Sequence, residues 1–153
     1  MISFLTSLIL IDFFFTFLQA LESVKQILNR LRLRDFEPEL IGFIQRLINS
    51  SESFKGKLSA VQLIPFIYPH VGPRSQPELI QAYGDIAQDE SPIVRKQAAI
   101  SLRDMADPGS FVPDNELLGI LTRFFQDSQD SVRMHVMETC VSYARRLTVF
   151  KIE

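Results

Sequence analysis

Two acidic–basic pairs recur at one spacing in this chain. Asp89 precedes Arg95 by six residues, and Asp127 precedes Arg133 by six; a valine stands before each arginine. Side chains of these types can form ion pairs, or the aspartates can cap turns while the arginines stay solvated. Neither arrangement performs bond-breaking chemistry. The other reactive types are scarce: His70 and His135 lie 65 positions apart, and Cys140 is the single cysteine. His135 and Cys140, five apart, diverge on a helix, so the three or four convergent ligands of a metal site are not foreseen. No phosphate loop, nucleophile elbow or pocketed carboxylate pair is written in the chain. The residues therefore predict no catalytic group, no cofactor and no metal. Cys140 reads as a small core residue in a reducing compartment.

The elements that would carry these pairs form a repeat. PELIGFIQRLINS from 38, PELIQAYGDIAQD from 77 and NELLGILTRFFQD from 115 carry the same apolar stripe. Leu40, Ile41, Ile44, Leu47 and Ile48 correspond to Leu79, Ile80, Tyr83, Ile86 and Ala87, then to Leu117, Leu118, Leu121, Phe124 and Phe125. At helical periodicity each set of five lies on one face. A second helix follows each. Val94, Ala98, Leu102, Met105 and Ala106 match Val132, Val136, Cys140, Tyr143 and Ala144, and Ala60, Ile64, Ile67 and Tyr68 fall in register before them. A weaker copy, Ala20, Val24, Ile27 and Leu28, opens the series.

The expected organisation is an opening helix at about 16–33, of which 20–33 belongs to the array, and then three helix pairs. These are 38–49 with 54–70, 76–88 with 92–106, and 113–126 with 130–148, leaving a tail at 149–153. Pro38, Pro77 and Pro92 open helices, where a missing N–H costs nothing, whereas Pro65 should kink or split its helix. A pair of helices is too thin to bury its own stripes, so stacked pairs share one core; periods of this length mark HEAT or armadillo arrays. The fold class is all-α, an α-solenoid.

Sixteen Lys and Arg against eighteen Asp and Glu give a formal charge of −2, which argues against a nucleic-acid partner and against a DNA-binding or glycosylase enzyme built on a HEAT-like array. Residues 1–19 contain no base and only Asp12 as a charge. They lack the basic start and cleavage site of a secretory signal. As a transmembrane span they would place Asp12 near the bilayer centre at a cost of about 2.5–3.5 kcal/mol. A membrane-anchored adaptor is thus a weaker alternative to a soluble array, and 1–19 reads as an apolar segment of unassigned role.

The turn pattern D-x-x-x-x-V-R resembles the HEAT consensus, although the proline usual within the first helix of each HEAT pair is absent from all three copies. SAVQLIPFIYPHV (59–71), QDESPIVRKQAAISL (88–102) and QDSQDSVRMHVMETCVSYA (126–144) resemble the scaffold, or A, subunit of protein phosphatase 2A, a 65 kDa regulatory subunit. The resemblance runs from about Ala20 to Leu147 and matches a fragment of the N-terminal half of that family's array. It implies a non-catalytic scaffold of the cytoplasm, and also of the nucleus. It implies an inter-repeat ladder through Asp89, Arg95, Asp127 and Arg133, blurred at the first turn as Ser51 and Lys57. It also implies docking of a regulatory B-type subunit through the intra-repeat turns. The residues so implicated are Phe54, Lys55, Lys57, Glu90, Pro92, Arg95, Lys96, Asp130 and Arg133. SPIVRK is the closest match to the family's turn; SESFKGK at 51–57 departs from it, with Phe54 as the counterpart of an aromatic residue there. The repeats that hold the catalytic subunit in the family have no counterpart here, so that partner is expected only where those repeats are present. Charge reversal at Arg95 and Lys96 is expected to weaken partner binding without unfolding, and the array's ends to self-associate or to be covered by 1–19.

Overall fold

The computed structural model describes residues 19–30, 33–49, 54–107 and 112–149. Helix α1 occupies 19–30. A 3₁₀ turn, Leu33–Phe36, leads into α2 (Glu37–Asn49), followed by α3 (Phe54–Ile67), α4 (Gln76–Ile86), α5 (Pro92–Ala106), α6 (Asp114–Phe125) and α7 (Asp130–Val149). There is no strand among the described residues. The pairs α2–α3, α4–α5 and α6–α7 stack as an α-solenoid. The second helices form the continuous layer: α3 packs on α5, and α5 packs along α7 more extensively than any other pair of elements. Residues 1–18, and with them the membrane-anchor and end-covering expectations, lie outside the described residues.

The stripes explain the core. Leu40, Ile41 and Ile44 of α2 are buried, as are all five stripe positions of α4 and all five of α5. In α6 the buried set is Leu117, Ile120, Leu121 and Phe124, whereas Leu118 and Phe125 are 54% and 42% exposed. Their counterparts Ile80 and Ala87 are buried because α4 has a neighbouring pair on that side. Ala144, expected in the core of α7, is exposed for the same reason, and its counterpart Ala106 is fully buried. The opening helix is also rotated from its expected register. Leu21 and Leu28 are buried, while Ala20 and Ile27 face solvent. Burying Leu21 removes more apolar surface from water than burying Ala20, and Leu21 and Leu28 lie two turns apart on one face.

Pro65 does not split its helix. The α-helix continues to Ile67 and then tightens into a 3₁₀ turn at Tyr68–His70. Because Pro65 lies in the last turn, its missing N–H removes little of the ladder, and its ring is buried in the core. Pro77 and Pro92 open α4 and α5, which they can do without losing a bond.

Several polar groups within this core are paired across helices. Tyr83, fully buried, donates its hydroxyl to the Ala98 carbonyl at 2.6 Å, pinning α4 to α5. Desolvation pushes the pKa of this phenol well above the ordinary tyrosine value, with the Asp104 charge adding to it. Thr139 donates to the Ala99 carbonyl at 3.3 Å across α5 and α7. Arg146, only 5% exposed, donates to the carbonyls of Met105 and Val112, tying α7 to both ends of the α5–α6 connection.

Candidate partner-binding ridge

The α4–α5 and α6–α7 connections lie along one edge of the array. Both are built the same way. Asp89 Oδ1 accepts from the Ser91 N–H at 2.9 Å, and Asp127 Oδ1 accepts from the Gln129 N–H at 2.9 Å. These are turns closed by an aspartate onto the backbone two residues on. The arginine six residues later folds back onto the same turn: Arg95 donates to the Asp89 carbonyl at 2.8 Å and the Glu90 carbonyl at 3.1 Å. Arg133 donates likewise to the Asp127 carbonyl.

Between turns the charges are joined. Arg95 forms a two-pronged bond with Asp127 of the next pair, Nε to Oδ2 at 2.7 Å and a terminal nitrogen to Oδ1 at 3.1 Å. One pair earlier, Lys57 reaches Asp89 at 2.5 Å. The lysine thus occupies the place that Arg95 holds at the following junction. The Arg95–Asp127 pair is sheltered, with side-chain exposures of 14% and 7%, while Lys57 is 36% exposed. The Arg95 hydrogen bonds hold the Asp127 carboxyl below its ordinary range against the opposing effect of burial, and the Gln129 N–H adds to the lowering. Reciprocally, the bond to Asp127 raises the Arg95 guanidinium, again against burial.

This geometry divides the nine residues implicated from sequence. Lys57, Arg95 and Arg133 are engaged within the chain, Arg133 also with Asp130. Their side chains are structural supports of the turns. Phe54, Lys55, Glu90, Pro92, Lys96 and Asp130 are exposed on or beside the same edge. Reversing the charge of Arg95 would therefore break a sheltered bond as well as alter the surface, so Lys96 alone is the clean probe. Ser51 lies outside the described residues, so the first turn is described only from Phe54 onward. Two exposed apolar residues were not singled out from the sequence: Ile93, 58% exposed, beside Pro92, and Met134, 71% exposed, after Arg133. Ile93 precedes the first stripe position of its helix and Met134 falls between two, and that placement off the stripe was the available signal.

The reactive residues stay apart from one another. His70 is in the 3₁₀ turn after α3, in tilted contact with the Phe66 ring, and His135 is on α7. Cys140 is partly buried and desolvation pushes its thiol above the ordinary value, the reverse of an activated nucleophile. Among the described residues no helix is long and apolar enough to cross a membrane.

No family model matches the chain. It is 28% identical over 130 residues to a Caenorhabditis elegans protein described as "Probable serine/threonine-protein phosphatase PP2A regulatory subunit", a match covering 84% of this chain and 22% of the relative. It is 32% identical over 88 residues to the Drosophila melanogaster "Serine/threonine-protein phosphatase PP2A 65 kDa regulatory subunit", covering 58% of this chain and 15% of the relative. The chain thus spans about a fifth of the length of the curated relatives it matches. Over most of its helical array, it is similar in sequence to regulatory subunits of phosphatase PP2A.

Proposed function

We propose that this chain is a non-catalytic interaction scaffold, a segment of the kind found in PP2A 65 kDa regulatory subunits, whose turn ridge docks a regulatory B-type subunit. The observation that carries this reading is the division of the ridge. The ladder Lys57–Asp89, Arg95–Asp127 fixes the spacing of successive turns, and Glu90, Pro92, Ile93 and Lys96 are left exposed on the turn so fixed. A rigid edge bearing exposed apolar and charged groups suits protein recognition, since the partner-binding side chains are ordered before binding. The relatives' names support the phosphatase setting; the choice of B-type subunit rests on the resemblance of SPIVRK to that family's turn. Catalytic-subunit binding would require repeats beyond those described here. The same reading places the protein in the cytoplasm and nucleus.

The test is a pull-down of purified B-type subunits by the full chain and by Lys96→Glu, with circular dichroism of both. Lys96 is exposed and unpaired among the described residues, so helicity and midpoint should be unchanged while capture falls about tenfold, the effect of placing like charge at a complementary site. Undiminished capture by the folded variant would remove this turn from the interface.

A further inference from the structure

A cleft of about 640 Å³ separates α4 from α6 along the first-helix side of the array, and its far end reaches Gln88, one residue before Asp89 of the turn ridge. Its lining differs from that of the preceding junction. Between α2 and α4, where a cleft of about 570 Å³ also opens, Gln45 donates its side-chain amide to the Glu78 carboxylate across the gap. The repeat places Gly84 where Gln45 stands and Glu116 where Glu78 stands. The carboxylate is kept and its donor is gone. Glu116 is exposed and makes no hydrogen bond or ion pair among the described residues, and neither does the carboxylate of Asp85 on the opposite wall. The floor includes Tyr68, 2% exposed, whose hydroxyl likewise has no partner among the described residues.

The lining favours a ligand rich in N–H groups. Gln76 spends its amide nitrogen on the Tyr68 and Val71 carbonyls, and Gln88 spends its own on Gly84, so both present amide oxygens. With Gln81, Asp85 and Glu116 the walls are dominated by acceptors. Arg123 lies over Gly84 at one end and the Arg146 charge acts on Tyr68, while Glu116 at the other end has no ion pair among the described residues. The guanidinium of arginine, with five donors and no acceptor, is the side chain that complements such a set. Lining positions run from Pro77 through Gln81 and Gly84 on α4 to Gln88 in the turn after it. That is about 16 Å of helix, or roughly five residues of extended chain.

We propose that the α4–α6 cleft binds an extended, arginine-bearing segment of a partner protein, the arginine pairing with Glu116. This site is independent of the ridge and would serve a second contact or a second partner.

The probes are acetylated, amidated pentapeptides with arginine, citrulline or glutamate at the centre, titrated into the ¹⁵N-labelled full chain and followed by NMR. The arginine peptide should shift the amides of Gln81, Gly84 and Gly119, and citrulline, which keeps the shape but not the charge, should bind about tenfold more weakly. Glu116→Gln should weaken the arginine peptide comparably. Gly84→Gln, which restores the internal donor, should abolish binding; its Cβ would meet only the end of Arg123 at 3.5 Å, so the fold accommodates it. Lys96→Glu should leave peptide binding unchanged. The inference fails if citrulline binds equally, if shifts map to the turn ridge, if free arginine amide matches the pentapeptide, or if nothing shifts at about 5 mM.

Discussion

Asp127 is the residue on which two connections converge. It closes its own turn through the Gln129 N–H and receives both prongs of Arg95 from the preceding pair. Because its folded pKa lies below the ordinary value of 3.8, the bond stabilises the fold above that pH, and the contribution is lost as pH falls through the lowered value. Arg95, whose pKa is raised, stays charged throughout that window. Asp127→Asn should therefore cost about 1–3 kcal/mol near neutral pH. It should also flatten the acid limb of stability, read by urea unfolding from pH 7 to 2; an unchanged acid limb would show that the bond contributes little. Arg95→Ala should lower the thermal midpoint for the same reason. Lys57→Ala should cost less, about 0.2–1 kcal/mol, since its partner bond is more exposed. The spacing that pairs Asp89 with Arg95 was visible in the sequence. The spacing alone did not show that Lys57 and Arg95 reach the aspartate of the next pair, a ladder that only the family resemblance implied, because that contact spans 32 residues and depends on how the pairs stack.

At the scale of helices, the stripes decide both stability and what could be foreseen. Leu102 of α5 is fully buried, whereas Leu118 of α6 is 54% exposed although it occupies a stripe position. Leu102→Ala should cost about 2–5 kcal/mol through lost burial and the cavity left behind, and Leu118→Ala no more than about 0.5 kcal/mol; equal losses in chemical denaturation would contradict the assigned stacking. Periodicity showed which residues share a face but not whether anything lies against it, so α4 and α5 were legible in full and α6 only in part. The opening helix was harder. Ala20 and Leu21 are adjacent apolar residues, and only the neighbouring helices decide which one turns inward. Arg146 gave no signal, since a basic residue near a helix end ordinarily stays in water. Its burial depends on carbonyls of the α5–α6 connection brought to it by the fold.

For the whole molecule, the outer side of α6–α7 presents Leu118, Phe125 and Met137, the last 62% exposed, at positions whose counterparts Ile80, Ala87 and Ala99 are buried. A side built to be covered favours association between copies of the chain. Sedimentation velocity should show mass rising with concentration, and Leu118→Lys with Met137→Lys should suppress the rise; a concentration-independent monomer before substitution would show that this face stays open. The two edges of the array also differ in how firmly neighbouring pairs are joined. At the α4–α5 to α6–α7 junction, α5 lies against α7 along its length and Arg95 bridges the turns, while α4 and α6 barely touch. The molecule is hinged there like a book, with α5 and α7 as the binding and the first helices as the free margins of the pages. A small change in curvature would widen or narrow the margin by more than it moves the binding, so bending strain reaching this junction is felt first in the gap beside Gly84.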